Sequence, residues 1–423
     1  MRMNAAARIL EQYAALQPHA PAADAAAQQL AALGLPDSRD EQWRYANLRA
    51  LDGIADFRPG RGGQPNAAPA ARALPEPLPD HLRLVLVDGR FDAALSCPPA
   101  ALSAAGVGLA RSTNPGPAGA TSGPLQLLTR MFAAETLTLV CSADARLELC
   151  CIATAGNAAG YPTLDVQLAP DATLQLVERH LGGAQRASLP GQLVCASTRL
   201  TLAANATLRH YRLQEYGAGV LWLDNQDARL ARDARLILCQ IGVGAATARH
   251  TAHIALAGER AELHWQAMAV ANGRQVNDTW VRVDPLARGT VTQQRFRGIA
   301  ADQARVACSA ELKVGGAGAG ARVQQNLRGL IDGRGAEVDL RPRLEIRTDD
   351  IQASHGATTG QLDETLLFYL LSRGLDPATA RTLLKWAFLG DVLGEITVPA
   401  LRRVAEQAAA GQLADVLASG AMS

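Results

Sequence analysis

Aromatic residues are scarce in this chain: Phe, Trp and Tyr make up 4% of its 423 residues. A β scaffold that grips polysaccharide needs exposed rings and clustered carboxylates along its length, and neither is evident. Excess charge of one sign is also lacking. Forty-one Lys and Arg face 40 Asp and Glu, for a formal charge of +1. That balance lacks the basic surplus of a general nucleic-acid binder. No run of about 18 apolar residues occurs, so no membrane span is expected. The start, Met1-Arg2-Met3-Asn4, leads into an Ala-rich amphipathic segment without a compact apolar signal region. A cytoplasmic protein is the expectation.

The seven cysteines (Cys97, Cys141, Cys150, Cys151, Cys195, Cys239 and Cys308) include no CxxC pair. Their odd number and scatter suit buried thiols in a reducing compartment. Spacing alone does not suggest a thiolate-held metal site. Gly315–Gly320 is followed by Ala321-Arg322-Val323, and Lys313 comes too early, so no Walker loop is formed. A flexible turn is the better account. No GxSxG nucleophile elbow and no pair of carboxylates stands out. The expectation is a protein that is not an enzyme.

What is present is apolar and patterned. Hydrophobic residues make up 48%, enough for a large core. Residues 4–33 read as a helix pair, broken near Gln17-Pro18-His19-Ala20-Pro21 and stopped by Gly34 and Pro36. Asp40–Leu48 reads as a helix packing Trp43 and Tyr45 on the body. Residues 57–80 read as a linker, residues 82–88 open a β region, and 103–124 read as a loose excursion.

From about residue 137 a small residue followed by an alternating apolar pattern recurs. It falls at Ala145, Ala172, Ala206, Ala234, Ala261, Gly289, Ala321 and Ala336, with spacings of 27, 34, 28, 27, 28, 32 and 15. Strand units of this period bury their faces only by stacking on one another, which predicts a β-solenoid that turns at the small residues. Leu147, Leu174, Leu236, Leu263 and Val338 are expected to line up inside it. His210, Gln293 and Gln325 fall in phase with them. If they point inward they are either hydrogen-bonded core polars or the lining of an internal path. His250 and His253, with His264 nearby, do not suggest metal, because positions i and i+3 of a strand face opposite ways.

The pattern changes around Arg347–Asp363. Beyond it Leu366, Leu367, Leu370 and Leu371 fall at helical spacing. The implied division is 1–80 (helices and linker), 81–348 (β core) and 349–423 (seam and helical docking part). Asp349, Asp350, Ser354 and His355 cluster at the seam, beside Gly356. Asp350 or Ser354 could equally cap the following helix. Leu366, Phe368, Leu384, Trp386 and Phe388 exceed what a small helical cap needs for its own core, and mark a docking surface.

The run Asp349-Asp-Ile-Gln-Ala-Ser-His-Gly-Ala-Thr-Thr-Gly-Gln-Leu-Asp363, with Leu367-Phe-Tyr-Leu370 and Ser372-Arg-Gly374, resembles the SufD-type members of the SufB/SufD family of iron–sulfur cluster assembly. Asp40-Glu-Gln-Trp-Arg-Tyr45, Arg343-Leu-Glu-Ile346, Ala380-Arg-Thr-Leu-Leu384 and Ala387-Phe388 match as well. SufB-type members carry a Glu where this chain has Gly356, and a Cys in the region that here reads Gln324–Ile331.

The resemblance implies a mainly β chain with a right-handed parallel β-helix core and helical ends. It implies a non-catalytic scaffold that pairs with a SufB-like chain through the C-terminal part of the β-helix. It also implies docking of a SufC-type ATPase through the C-terminal helices, and self-pairing as a homodimer when alone. No cofactor would be held stably. A transient cluster would form at the interface with the partner, with His355 contributing. Many members have Cys where this chain has Ala353, so His355 would act without that thiolate. The competing expectation is a structural β-helix homodimer with no cluster role.

Overall fold

The computed structural model describes residues 4–16, 20–37, 39–59, 73–113, 123–154, 159–185 and 191–420, with backbone only for 414–420. Its strands are β1 (Leu82–Val87), β2 (Arg90–Phe91), β3 (Val107–Ser112), β4 (Thr136–Cys141), β5 (Asp144–Ala153), β6 (Ala159–Gly160), β7 (Thr163–Leu168), β8 (Thr173–Gly182), β9 (Gln192–Leu202), β10 (Thr207–Tyr216), β11 (Val220–Leu230), β12 (Arg235–Gly242), β13 (Thr247–Leu256), β14 (Glu262–Ala271), β15 (Val276–Pro285), β16 (Val291–Ala301), β17 (Arg305–Val314), β18 (Ala321–Asp332), β19 (Glu337–Ile346) and β20 (Ile351–Gly360).

They form two sheets. One runs β2-β1-β5-β8-β10-β12-β14-β16-β18-β20, and the other β19-β17-β15-β13-β11-β9-β7-β4-β3. From β7 onward successive strands alternate between the sheets, and their pairing is parallel. The fold is therefore a parallel β-solenoid with two long strands per coil. Two strands per coil explain the spacings: 27–28 residues is one full coil, and the step of 15 from Ala321 to Ala336 crosses to the other sheet.

The repeat has a backbone cause. Asp171, Asn205, Asp233 and Arg260 all have left-handed φ, between 57° and 64°. Each precedes a buried alanine: Ala172, Ala206, Ala234 and Ala261. A left-handed residue makes the corner, and a methyl group fits beneath it. Gly289 occupies the left-handed position itself, at φ 67°, with buried Thr290 after it.

The inner ladder differs in part from the expected one. Leu174, Leu208, Leu236 and Leu263 stack in register. Leu147 pairs with Leu176, one pleat further along. Val338 belongs to the other sheet, opposite Val306. Leu147 stays on the core face because its shift is an even number of residues, and Val338 faces the core from the other sheet.

Helices α1 (Ala5–Ala14) and α2 (Pro21–Leu33) form the expected pair; Gln17, Pro18 and His19 lie outside the described residues. Asp40–Leu48 is not an α-helix but a 3-10 turn, Glu41–Trp43, followed by a second starting at Leu48. Trp43 is buried beneath the Arg249 guanidinium, 4.5 Å from the ring centre. The stretch 103–124 is not loose where it is described. It contains the end of α3 (Pro99–Ala104), β3, and the start of α4 (Pro124–Phe132), with 114–122 outside the described residues. Of the 57–80 linker, 60–72 lies outside them too, and Leu78 near its end is buried.

Helices α1, α2 and α4 cover the outer face of the second sheet at Leu193, Cys195, Leu221 and Leu223. Helices α5 (Glu364–Ser372), α6 (Pro377–Leu393) and α7 (Pro399–Gly420) follow β20. Together with Val177, Tyr211, Ile241, Met268 and Ile299 from the first sheet, α6 and α7 form a second outer cluster. No helix among the described residues is long and apolar enough to cross a membrane.

Candidate functional site

The stretch expected to be a seam is the last strand of the first sheet. β20 pairs with β18 on one side only, and β19, the last strand of the second sheet, pairs only with β17. The C-terminal end of the solenoid therefore presents two strand edges with unpaired backbone groups. The cap of the following helix is neither Asp350 nor Ser354 but Asp363, whose carboxylate accepts from Thr365 N at 2.8 Å and Leu366 N at 3.1 Å.

The register fixes what this end displays. Ala353, His355 and Ala357 lie beside Val323, Gln325 and Leu327, which face the core and are buried. Every residue from Gln352 to Gly360 is nevertheless exposed. No further coil covers them, so the core face of β20 is an open surface of small residues with one imidazole. Ser354 lies on the opposite face from His355, so the small polar cluster is split by strand alternation. Gly356 also lies on the outer face, and an added Cβ there would meet nothing within 4 Å. On β19 the core-facing Val338, Leu340, Pro342 and Leu344 are half-buried, and Ile346 is exposed.

His355 continues an inner column. Gln325 beneath it donates through Nε2 to Gln294 Oε1 at 2.6 Å and to Ala310 O at 3.2 Å. Gln294 in turn lies in register with Trp265. Gln325 is thus a bonded core polar, and so is His210, whose Nε2 lies 2.8 Å from Glu178 Oε2. Gln293 is not: it is exposed, on the outer face, with Oε1 3.1 Å from His264 Nδ1. His250 points inward to Asp224 and His253 outward to Asp284, as alternation requires.

The five apolar helix residues divide. Leu366 and Phe368 on α5 are 51% and 71% exposed. Leu384, Trp386 and Phe388 on α6 are half-buried and pack against the outer cluster. Tyr369 and Leu383, which sequence reasoning missed, join the exposed set. Ion pairs fasten the helices to the last coils, buried Lys385 to Asp332 and Arg297 to Asp391 at 2.6 Å. Gly316–Gly318 is a short turn between β17 and β18.

The lumen of the middle coils holds a charged network that sequence reasoning also missed. The Arg212 guanidinium donates to Glu178 through Nε (3.0 Å to Oε2) and Nη2 (3.0 Å to Oε1), and to Asp224 through Nη1 at 2.5 Å. His180 Nε2 lies 2.8 Å from Glu178 Oε1, and His250 Nδ1 hydrogen-bonds Asp224. Burial would raise both carboxyls, but Arg212 and the histidines hold Glu178 well below the usual carboxylate range and Asp224 below it too. The signal was available: continuing the period-2 pattern of Leu174 and Leu176 puts Glu178 and His180 on the lumen face. All seven cysteines are free; Cys150 lies in an outer cluster and Cys151 in the core.

Comparison with known proteins agrees with this architecture. Residues 129–388 match the family model described as the SUF system FeS cluster assembly SufBD core domain. The chain is 28% identical over 385 residues to the iron–sulfur cluster assembly protein SufD of Escherichia coli, covering 88% of each chain. It is 29% identical over 205 residues to a SufBD family protein of Synechocystis, covering 48% of this chain and 45% of that one. The chloroplastic protein ABCI7 of Arabidopsis thaliana is 25% identical over 190 residues, 45% of this chain and 40% of its own. On the match across its β core, this chain belongs to the SufB/SufD family, and within that family it is SufD-like.

Proposed function

We propose that this chain is a scaffold subunit of an iron–sulfur cluster assembly complex, pairing through its open end with a SufB-like chain. The observation that carries the reading is the last coil: two unpaired parallel strand edges, and a core face that displays His355 where the next coil would otherwise cover it. A solenoid partner extends both sheets by strand addition and buries the half-exposed Val338, Leu340 and Leu344. The imidazole then faces the partner across a closed seam.

The cluster is cargo. A single histidine supplies one nitrogen ligand, and thiolates come from the partner, a ligation type known for iron–sulfur centres. With Ala353 in place of a thiol, this chain offers an incomplete ligand set, which suits transfer rather than storage. The rigid ladder beneath His355 holds its backbone in place. The exposed face of α5, with Leu383 of α6, is the surface offered to a SufC-type ATPase. Hydrolysis belongs to that partner, and a scaffold role needs no catalytic group on this chain.

The test is co-expression with a SufB-like chain and a SufC-type ATPase, followed by anaerobic reconstitution read by visible absorption. Cluster absorption that requires all three chains supports the reading. A chain that purifies alone as a dimer, and neither captures those partners nor alters their cluster yield, favours the structural homodimer, because the same edges also fit a second copy.

A further inference from the structure

We propose that the solenoid lumen holds a single divalent metal ion of the zinc or iron(II) type, bound by Cys151 Sγ, Glu178 Oε1 and His180 Nε2. These three side chains offer ligand atoms that all lie within 4.8 Å of one another. They come from adjacent strands. Cys151 and His180 are register partners on β5 and β8, and Glu178 lies two residues before His180 on the same face. All three are at most 3% exposed. A sulfur, a nitrogen and one carboxylate suit a borderline cation and not calcium or magnesium.

Three further observations point the same way. His180 Nδ1 lies 3.1 Å from Tyr216 Oη, and that hydroxyl lies 3.5 Å from Cys151 O. If the hydroxyl donates to the carbonyl, it accepts from Nδ1–H, an outer-sphere contact that orients a ligating imidazole. The Nε2 lone pair then faces Glu178 Oε1 at 2.8 Å; Arg212 Nη2, 3.4 Å from Nε2, is too far for a good hydrogen bond, so a bound ion is the better partner for that lone pair. Charge gives the second argument. With His180, His210 and His250 neutral, Glu178 and Asp224 share the single guanidinium of Arg212, leaving one excess negative charge in this cluster. A divalent ion with the Cys151 thiolate adds one net positive charge and closes that balance.

Space gives the third. A cavity of about 10 Å³, enough for roughly one water, adjoins Cys151 and Tyr216. Its other walls include Gly89, Gly160 and Pro162 near the first coils; Glu178 and His180 do not line it, so what it offers is a place for a water beside Cys151. Arg212 holds Asp224 and both Glu178 oxygens, with Nη2 3.0 Å from Oε1, so the ion shares Oε1 with the guanidinium through the second lone pair of that oxygen. Binding releases the thiol proton to solvent, and no redox change is involved.

The experiment uses the full chain, stripped with chelator and titrated with Co²⁺. The expected result is about one ion per chain with a thiolate-to-cobalt charge-transfer band. The band should vanish in Cys151→Ser and fall at least tenfold in affinity in His180→Gln. It should persist in Cys97→Ser and in His355→Ala, so the result is independent of the cluster-site reading. X-ray absorption of the zinc-loaded wild type, which needs no variant to fold, should show about one sulfur in the first shell. A shell of nitrogen and oxygen only, no charge-transfer band, or a band that is lost in Cys97→Ser but survives Cys151→Ser, overturns the proposal.

Discussion

Gln325 and His355 are register partners in adjacent parallel strands, yet Gln325 is 2% exposed and His355 is open to solvent. One strand step separates the closed core from the surface. Leu236 lies in the middle of its stack, whereas Val338 lies on the uncovered last strand of the other sheet. The molecule is a ladder whose last rung has no neighbour.

The ladder predicts graded packing costs. Leu236 is fully buried between Leu208 and Leu263. Leu236→Ala should cost about 2–5 kcal/mol, the usual range for a core leucine. Val338→Ala at the half-buried end should cost clearly less. Urea denaturation of the two variants checks this, and equal costs would mean that the end coil is as closed as the middle.

Stability should fall with acid from the histidine side first. Burial holds the His250 imidazole below its ordinary range, although Asp224 pulls the other way. Protonation would also put a hydrogen on Nε2, which is buried without a partner. The unfolded chain therefore takes up a proton below about pH 6.5 that the folded chain resists, so stability drops as pH falls through that range. Asp224 is held below its ordinary range, so its contribution is present above about pH 4 and is lost only at lower pH. Melting temperatures measured in chelator should be level from about pH 7 to 8 and decline below about 6.5. His250→Gln should flatten that decline. An unchanged slope in the variant would assign it to other groups.

Much of this was legible because the solenoid writes its corners into the sequence. Asp171, Asn205 and Asp233 tolerate left-handed backbone, and the alanine after each fits under the turn, so each corner marks the period beside the alternating apolar pattern. The register of Leu147 was not legible, since alternate residues share a face and a two-residue slip leaves no mark. At the site, His355 stood out because helical spacing begins soon after it. Its strand was hidden, because Ser354, Gly356 and Gly360 read as a turn and only pairing with β18 makes them extended. The division of Leu366 and Phe368 from Leu384, Trp386 and Phe388 depends on how α6 lies against the first sheet, which composition does not encode.

The exposed helix face should separate docking from folding. Phe368→Asp on α5 removes an exposed ring and should change stability by no more than about 0.5 kcal/mol. Pull-down of a SufC-type ATPase should fall at least tenfold. Trp386→Ala, on the inward side of α6, should instead lower the melting temperature through lost packing. Undiminished ATPase capture by Phe368→Asp combined with Leu366→Asp would remove α5 from the docking surface.

His355 carries the most specific expectation. The residue is exposed, lies on a strand edge, and packs against no further coil, so His355→Ala should leave the melting temperature within a few degrees, as exposed substitutions generally cost at most about 0.5 kcal/mol. The variant should still co-purify with a SufB-like chain, since strand addition uses the backbone of β19 and β20 and the apolar face of β19. Its loss should appear in anaerobic reconstitution, as a severalfold drop in cluster absorption per complex. His253→Ala, which removes an outward histidine bonded to Asp284 on the second sheet, should reconstitute as wild type. Replacing Gln325 by Leu tests the support: a buried amide is removed beneath an intact imidazole, so cluster yield should fall less than in His355→Ala. Wild-type yield in His355→Ala would sink the site assignment while leaving the family intact. Failure of that variant to pair with the SufB-like chain would make His355 an interface contact and move the cluster ligand elsewhere.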